Sequence, residues 1–490
     1  MIRTEELDKV FQILNEKFFE NFKNPHYRLV WATSSFISRN QYTSPSLWQT
    51  NHTESPGIFL LASKFVWRIC YFIAYILIVR CVFKKNEFHY KTLYLASIVD
   101  QSATITNDRY FGDLIWKTDL VEVPIFLNFR AIISYARDPR RFKSLFCEKE
   151  CSLFRILHSQ LIVKLRIYFW LLRTCDSDLL RAHKTLIVSE FVKSFITMNS
   201  LVALMRYYGL KNLRLKKGFK PNSKYLMWYE NLEHNRGEIL ALNDANDGQQ
   251  IIAFFGFFPS SSLYGPFLRD FDLYWNLRPG KFIFLNRSVA RRYRKLSDVD
   301  INILGFCGGG RYYRVGKIPK HYSPDVKSIG IALPVEIAST QIEAWIRRII
   351  WEARKSGVKI ILRAHPSGSY SWRLKEFVVA SEQPLSEFLI ESDFVIGFNS
   401  SILIDALLQF VPVGSIDVMG LDFSTVPEFP GSSEVALSFK ISDCLDEVIR
   451  AAVEARQCFV KGRFRYSRLM GLYLSSDPNG LGEICSSCSE

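Results

Sequence analysis

The sequence lacks a regular cysteine framework. Its ten cysteines lie at positions 70, 81, 147, 151, 175, 307, 444, 458, 485 and 488 without a repeating spacing. Unpatterned cysteines in a long chain are typical of a reduced, cytoplasmic protein. Cys485 and Cys488 form a single CxxC pair with no second pair to complete a zinc site. We therefore expect neither disulfides nor structural zinc.

The sequence also lacks a signal peptide and a long uninterrupted apolar run. Met1–Lys17 is charged and amphipathic, without the apolar core of a secretory signal. Ile58–Phe83 is the most apolar segment, but its uncharged core, Ile69–Val79, is shorter than the roughly 18 apolar residues that a membrane span needs. The charged residues in this segment are Lys64, Arg68 and Arg80.

Two interpretations of Ile58–Phe83 stay open. Lys64 and Arg68 share one helical face, while Trp67, Tyr71 and Tyr75 are positioned to lie near lipid headgroups, which favours a helix at the membrane interface. A buried domain helix explains the same composition equally well. Leu161–Arg173 permits the same pair of interpretations: a second membrane-facing helix or a buried insertion.

Acidic residues are in the minority. Lys and Arg number 63 against 48 Asp and Glu, a formal net charge of +15. Such a balance suits nucleic acid, an anionic membrane surface or anionic small molecules. No nucleic-acid-binding motif accompanies the basic residues, so we expect no nucleic-acid partner. The basic clusters are Lys84–Lys85, Arg137–Lys143, Lys211–Lys220 and Arg287–Lys295.

Two common phosphate-handling motifs are missing. Gly305–Gly310 is glycine-rich, but no GxxxxGK[ST] pattern is present, and the segment is interpreted as the end of a lobe. No DxD occurs in a convincing strand-end context, so we expect no obligatory metal and no cofactor.

The pattern of apolar runs predicts an α/β protein with two Rossmann-like lobes. With 490 residues, 48% of them hydrophobic, the chain is long enough for two large domains. The predicted organisation is an N-terminal helical, possibly membrane-associating region at 1–88, a first lobe at 89–322 with a helical insertion at about 145–215, a second lobe at 323–460 and a tail at 461–490.

The most informative stretch is Arg363–Val413. Val358–Leu362 reads as a buried strand that delivers His365 to a loop at its carboxyl end, where open α/β sheets bind ligands. Pro366 cannot continue the strand and biases His365 towards an extended conformation. A His-Pro after a strand is also an ordinary turn, so this motif gains weight only from its combination with a second one.

The second motif begins at another strand, Phe394–Gly397. This strand leads into Asn399, Ser400 and Ser401, which precede the apolar helix Ile402–Phe410. Small hydroxyls at a helix N-terminus cap it and leave backbone amides and the positive end of the dipole facing outward. The same pattern occurs in ordinary helix caps, but it can also form a binding site for a phosphate group.

The order of these motifs resembles the donor-binding half of GT-B glycosyltransferases of bacterial surface polysaccharide synthesis. The likeness is strongest to sialyltransferase-like and Kdo-transferase-like enzymes, which use CMP-activated acidic sugars to build capsule, O-antigen or lipopolysaccharide. The resemblance implies that the nucleotide phosphate and ribose are held by His365-Pro366 and Ser400-Ser401. Arg363, as charge support, and Asn399 are further candidate phosphate-binding residues beside these motifs.

The first lobe carries a weaker resemblance to the same group. Glu230 and Asn231 follow a strand, Tyr225–Tyr229, and a Gly-containing strand with Gly256 comes next, as in bacterial surface-carbohydrate proteins. Arg287 stands where that group usually has Gly, and a Phe-Pro stands where it usually has Gln-His. We interpret His234, in the helix after Glu230, as a surface residue.

Glycosyl transfer needs charge cancellation at the departing phosphate and a base near the acceptor hydroxyl. His365 is the candidate for the first task. Glu230 is the first candidate for the second and Asp247 the next, since Asn246–Gly248 matches part of a sialyltransferase acidic motif. Asp405 is interpreted as a support for the serine loop.

The resemblance implies a nucleotide-sugar-dependent, metal-independent glycosyltransferase with a glycan or lipid-linked acceptor. We expect it on the cytoplasmic side of the inner membrane, in peripheral contact with anionic lipid. Two alternatives stay open: a polymerase using CDP-glycerol or CDP-ribitol, and a catalytically degenerate scaffold protein.

Overall fold

The computed structural model shows two parallel sheets and the helices that connect their strands. The described residues are 4–34, 58–83, 93–99, 120–126, 129–138, 144–175, 178–195, 197–217, 223–244, 250–256, 267–307, 325–333, 340–364, 378–379, 385–398, 402–417, 432–440 and 442–462.

The first sheet has six parallel strands in the order β2-β1-β3-β4-β5-β6. Its central strands are buried on both faces, which is why they read as continuous apolar runs. Every residue of β2 and β3 is buried. The strands are β1 (Leu93–Val99), β2 (Val121–Phe126), β3 (Lys224–Trp228), β4 (Gln250–Phe255), β5 (Lys281–Phe284) and β6 (Ile303–Phe306).

The second sheet also has six parallel strands, in the order β12-β11-β10-β7-β8-β9. Its strand order changes direction beside β7, as in doubly wound Rossmann-like sheets. The strands are β7 (Ser328–Ala332), β8 (Lys359–Arg363), β9 (Val378–Val379), β10 (Phe394–Gly397), β11 (Val413–Asp417) and β12 (Ala436–Lys440).

The helices connect the strands and add a helical insertion to the first sheet. Those before and around the insertion are α1 (Thr4–Asn21), α2 (Pro25–Ala32), α3 (Ile58–Val82), α4 (Phe129–Ala136), α5 (Cys147–Glu150), α6 (Leu153–His158), a π-helical turn (Ser159–Val163), α7 (Lys164–Thr174), α8 (Asp178–Phe195) and α9 (Met198–Lys217). The others are α10 (Glu233–Asn243), α11 (Asp270–Tyr274), α12 (Arg287–Leu296), α13 (Thr340–Ser356), α14 (Leu385–Glu391), α15 (Ile402–Leu408), α16 (Ser432–Val435) and α17 (Leu445–Lys461).

The fold class predicted from the sequence is confirmed: the chain is α/β, with two Rossmann-like parallel sheets in tandem as in the GT-B architecture. The first sheet is built from residues 93–306 and the second from residues 328–440. The predicted domain boundaries themselves stay a prediction. The apolar run Glu122–Phe129 predicts a strand that is longer than β2, which ends at Phe126, because Phe129 already begins α4.

One face of the C-terminal half of helix α3 is buried, while Leu77 and Val82 in the same half are exposed. The hydroxyl of Tyr75 donates to Glu148 Oε1 at 2.6 Å, and Arg80 Nε donates to the carbonyl of Glu148 at 2.8 Å. Tyr75 is therefore inside the protein, and its predicted position near lipid headgroups is wrong. In contrast, Trp67 in the N-terminal half of the same helix is 69% exposed. The C-terminal half thus has a face packed against the protein, and contact of α3 with a membrane stays a prediction.

By length and composition, one segment among the described helices could cross a membrane. It is Ser63–Val82, with a mean hydropathy of 1.9. One face of its second half packs inside the protein, where Tyr75 is bonded to Glu148.

Candidate functional site

Each sheet has a point where the strand order reverses, and polar residues follow the strands beside both points. In the first sheet the reversal lies between β1 and β3, and in the second between β7 and β10. Loops at the carboxyl ends of such strands diverge and leave a crevice, which is where open α/β sheets bind ligands. Residues that directly follow these strand ends are therefore the candidates for a ligand site.

Glu230 lies two residues beyond the carboxyl end of β3, beside the first reversal. Its side chain is partly exposed, and Oε1 accepts a hydrogen bond of 2.8 Å from the indole Nε1 of Trp228. This bond restricts the carboxylate rotamer while leaving it in contact with solvent. An oriented, accessible carboxylate is suitable as a general base.

The turn that carries Glu230 is held by Asn235. Asn235 Oδ1 accepts from the backbone N–H of Glu230 and of Leu232, each at 3.2 Å, and its Nδ2 donates to the Trp228 carbonyl at 2.9 Å. Asn231 sits inside the turn with φ of 55°, a left-handed conformation that Asn tolerates better than most residues. The sequence Glu-Asn therefore produces a sharp, fixed turn at the end of β3.

A buried ion pair contacts this turn. Arg236 Nη2 lies 3.0 Å from Asp272 Oδ1, and both side chains are almost fully buried. Burial raises the pKa of Asp272, while Arg236, the Arg269 backbone N–H and the Asn231 side chain act in the opposite direction. The contact with Asn231 links the ion pair to the turn, so we interpret Arg236 and Asp272 as positioning residues.

His234 differs from its prediction as a surface residue. It lies in the first turn of α10 and is only partly exposed. Burial, with a smaller effect from Arg206, lowers the pKa of His234 to about 4. The imidazole is therefore neutral at pH 7, four residues from Glu230.

In the second sheet the ends of three adjacent strands are level. Ala332 of β7 pairs with Arg363 of β8 on one side and with Gly397 of β10 on the other. Because neighbouring strands are about 4.8 Å apart, the ends of β8 and β10 are roughly 10 Å apart. The loops after β8 and β10 thus leave the sheet close to each other, on either side of β7.

Arg363 is the last residue of β8 and is half-buried. Its guanidinium carbon lies 5.7 Å from the centre of the Phe388 ring, a cation–π distance. Burial lowers the pKa of Arg363, and the fully buried Asp405 of α15 opposes that shift. Arg363 and Asp405 therefore interact electrostatically. The role of Asp405 as a support for the serine loop stays a prediction.

The other predicted site residues lie outside the described part of the chain. They are Asp247, His365, Pro366, Asn399, Ser400 and Ser401. Their predicted roles stay predictions. Of the predicted set, the structure describes Glu230 and Arg363, one at the carboxyl edge of each sheet.

Trp228 and Gly256 belong to the site although the sequence analysis assigns them no role in it. A Cβ added to Gly256 would overlap the Trp228 indole, with Cη2 at 2.6 Å. Gly256 therefore leaves the space in which Trp228 reaches Glu230. The glycine after an apolar strand is visible in the sequence, but its neighbour across the sheet is not.

Comparisons with known proteins add structural neighbours of low similarity. No family model matches the sequence, and no curated protein matches it. Among solved structures, the glycotransferase of kitacinnamycin has a TM-score of 0.43 at 10% identity, covering 81% of this chain and 98% of that one. S. aureus MnaA with UDP has a TM-score of 0.44 at 11% identity, covering 81% and 94%.

The wall teichoic acid polymerase TagF, soaked with CDPG, has a TM-score of 0.40 at 11% identity, covering 88% of this chain and 98% of that one. All three scores are below 0.5. This chain's own strand order defines its class, an α/β protein with two parallel sheets in tandem.

Proposed function

We propose that this protein is a nucleotide-sugar-dependent glycosyltransferase of bacterial surface polysaccharide synthesis. The observation that carries the proposal is that each sheet has a candidate group at its carboxyl edge: Glu230 beside the reversal in the first sheet, and Arg363 on β8, one strand from the reversal in the second. The preferred donor is a CMP-linked acidic sugar such as Kdo or a sialic-acid-like sugar.

The second sheet is the proposed donor half. Arg363 supplies a fixed positive charge at the carboxyl edge of the sheet, and His365 follows it by two residues. Ser400 and Ser401 directly precede α15 in the sequence. In this proposal His365 and the two serines hold the nucleotide phosphate and Arg363 stabilises the charge that develops on it. The transfer needs no metal, because these groups neutralise the leaving phosphate.

The first sheet is the proposed acceptor half. Glu230 accepts the proton of the acceptor hydroxyl as that hydroxyl attacks the anomeric carbon, and CMP leaves. The hydrogen bond from Trp228 fixes the carboxylate for this step. Asp247 is the second candidate for the base.

We further propose that the enzyme works at the cytoplasmic face of an anionic membrane. The support is an exposed apolar stripe along α6 and α7, in which Phe154 is 78% and Phe169 56% exposed, with Ile162 and Leu165 between them. No Asp or Glu occurs from Cys151 to Cys175. Apolar side chains flanked by cations are typical of a helix that lies in a lipid interface.

A thermal-shift series with CMP, CDP, UDP and GDP tests the donor. A ligand that binds only the folded state raises the melting temperature. We expect CMP or CDP to give the largest rise, and His365→Ala and Arg363→Gln each to reduce it. Arg354→Gln, which removes an exposed charge from α13, serves as the control and should respond as the wild type does.

The products distinguish the proposal from its alternatives. Release of CMP together with transfer of the sugar supports the glycosyltransferase. A product that retains the donor's phosphate would instead assign a CDP-glycerol or CDP-ribitol polymerase. A response to UDP alone would reject the CMP-linked donor, and no response to any nucleotide would favour the scaffold protein.

A further inference from the structure

A basic pocket lies away from both reversal points. It encloses about 500 Å³ between the start of α2, helix α6 and the second half of α9. No role in the proposed transfer falls to any of its residues. The side chains that matter for its chemistry are His26, Phe154, Arg155, His158, Tyr208 and Lys211.

The pocket lies at the far end of α10 from Glu230. Tyr207, in its wall, donates to Asp244 Oδ2 at 2.7 Å, and Asp244 is the residue that ends α10. Helix α10 begins just after Glu230 and has 11 residues, so Asp244 is roughly 16 Å away along the helix axis. A ligand in this pocket is therefore remote from the proposed transfer site.

The charge of the pocket is positive. Arg155 is exposed, and no carboxylate pairs with it among the described residues. Asp244 is the carboxylate beside the pocket, and it is shared between Tyr207, Arg28 at 3.6 Å and Lys211 at 3.9 Å. Two cations, Arg28 and Lys211, thus share one carboxylate, and Arg155 adds a further positive charge to the pocket lining. The positive charge around the pocket therefore exceeds the negative charge.

Two histidines add hydrogen-bonding groups. The Tyr208 hydroxyl is bonded to His26 Nδ1 at 2.9 Å and to Ser159 Oγ at 2.8 Å, which fixes the imidazole in the pocket wall. His26 Nε2 has no hydrogen-bond partner among the described groups. Burial, followed by the charges of Arg155, His158 and Lys211, lowers the pKa of His26. Burial is the larger cause, and the smaller contribution from these positive charges is the part that a bound anion would offset.

We propose that this pocket binds a phosphate group, with Arg155 and Lys211 as charge partners and His26 and His158 as hydrogen-bond donors or acceptors. Arginine and lysine are the common protein ligands of phosphate, and a fixed arrangement of several donors favours phosphate oxygens over simple anions.

The surroundings of the pocket favour the phosphate of a lipid headgroup over a free phosphate. Phe154 at its rim is stacked on His158, with ring centres 6.3 Å apart, and is exposed. It is also the first residue of the apolar stripe that continues through Ile162, Leu165 and Phe169. A headgroup in the pocket would bring its acyl chains towards this stripe. This step rests on the membrane contact proposed above, whereas phosphate binding does not.

The first experiment uses the full chain and inorganic phosphate. Diethyl pyrocarbonate modifies accessible imidazoles, and peptide mass spectrometry measures the rate at His26 and His158 separately. With ionic strength held constant, phosphate should slow modification of both residues in the wild type. The double variant Arg155→Gln/Lys211→Gln should lose this protection. Arg294→Gln/Lys295→Gln, which removes the same two charge types from α12, should keep it.

The second experiment distinguishes the source of the phosphate. Sedimentation with phosphatidylcholine vesicles is compared with sedimentation with vesicles that also contain phosphatidic acid. Stronger binding to phosphatidic acid that is lost in Arg155→Gln/Lys211→Gln, but not in Arg294→Gln/Lys295→Gln, assigns the headgroup. Protection by inorganic phosphate without this vesicle effect assigns a soluble phosphate and rejects the lipid. Unchanged modification rates with phosphate in the wild type would overturn the pocket itself, whatever the transfer assay shows.

Discussion

The Trp228 indole donates a 2.8 Å hydrogen bond to Glu230 across the carboxyl end of β3. The two residues are separated by one position, so the bond closes the turn on itself and restrains the carboxylate. Gly256, on the next strand's end, leaves the space that the indole occupies. A catalytic candidate in one strand loop thus depends on a glycine in another.

Substituting Gly256 tests this dependence. In Gly256→Ala the new Cβ would meet the indole at 2.6 Å from Cη2, so Trp228 must move and release Glu230. Since misplacing a catalytic group by about 1 Å can reduce the rate on the order of 100-fold, we expect a loss of that size in nucleotide release from the donor. Gly280→Ala is the control, because its Cβ would meet Ile251 O at an ordinary 3.5 Å. Equal activities in both variants would contradict the prediction.

Replacing Glu230 tests its role as the base. Glu230→Gln keeps the shape and the contact with Trp228 but cannot accept a proton, so the transfer rate should fall by roughly 100-fold to 10,000-fold. The CMP-induced rise in melting temperature should persist, because the donor binds to the other sheet. Glu454→Gln, an exposed change on α17, should leave both quantities unchanged. Full activity of Glu230→Gln would transfer the role to Asp247.

The pH dependence of stability tests the environment of His234. Its pKa is about 4 in the folded protein against the ordinary value of 6.5, so the unfolded chain binds more protons between these values. The contribution of His234 to the free energy of unfolding is therefore complete above pH 6.5 and is lost as the pH falls towards 4. Urea unfolding of His234→Asn should show a shallower loss over this range than the wild type. Identical slopes for the two proteins would show that His234 is solvated.

A buried ion pair should matter far more than an exposed one. Arg206 Nε donates to Glu238 Oε1 at 2.6 Å, and both side chains are fully buried between β2 and α10. Arg206→Met leaves Glu238 without that partner and should lower the free energy of unfolding by about 3–5 kcal/mol. Lys359→Met breaks the exposed contact with Glu391, 3.1 Å long, and should cost less than about 1 kcal/mol. Chemical denaturation of both variants measures the contrast.

The sequence predicts best a buried strand that has polar residues on both sides. Phe394–Gly397 has its predicted limits, because a short apolar run lies between Asp393 and Asn399. Ala436–Lys440 is not predicted, since an edge strand with one buried residue has no apolar signal. The carboxyl-end position of Glu230 can be predicted from β3 alone, by local pattern.

The remaining parts of the site depend on contacts between distant segments. The contact of Gly256 with Trp228 and the partial burial of His234 arise only when strands and helices pack together. The same is true of Tyr75, whose partner Glu148 is 73 positions away. The composition of a segment is equally compatible with a position near a membrane and with a position in a core. Packing alone decides between the two.

A crystal structure of the chain with bound CMP tests the central claim most directly. We predict that the phosphate lies beyond the carboxyl ends of β8 and β10, in contact with His365 and the serines before α15, and that Glu230 faces it across one shared cavity. A nucleotide bound elsewhere, or Glu230 opening onto a surface with no connection to the phosphate, would contradict the account.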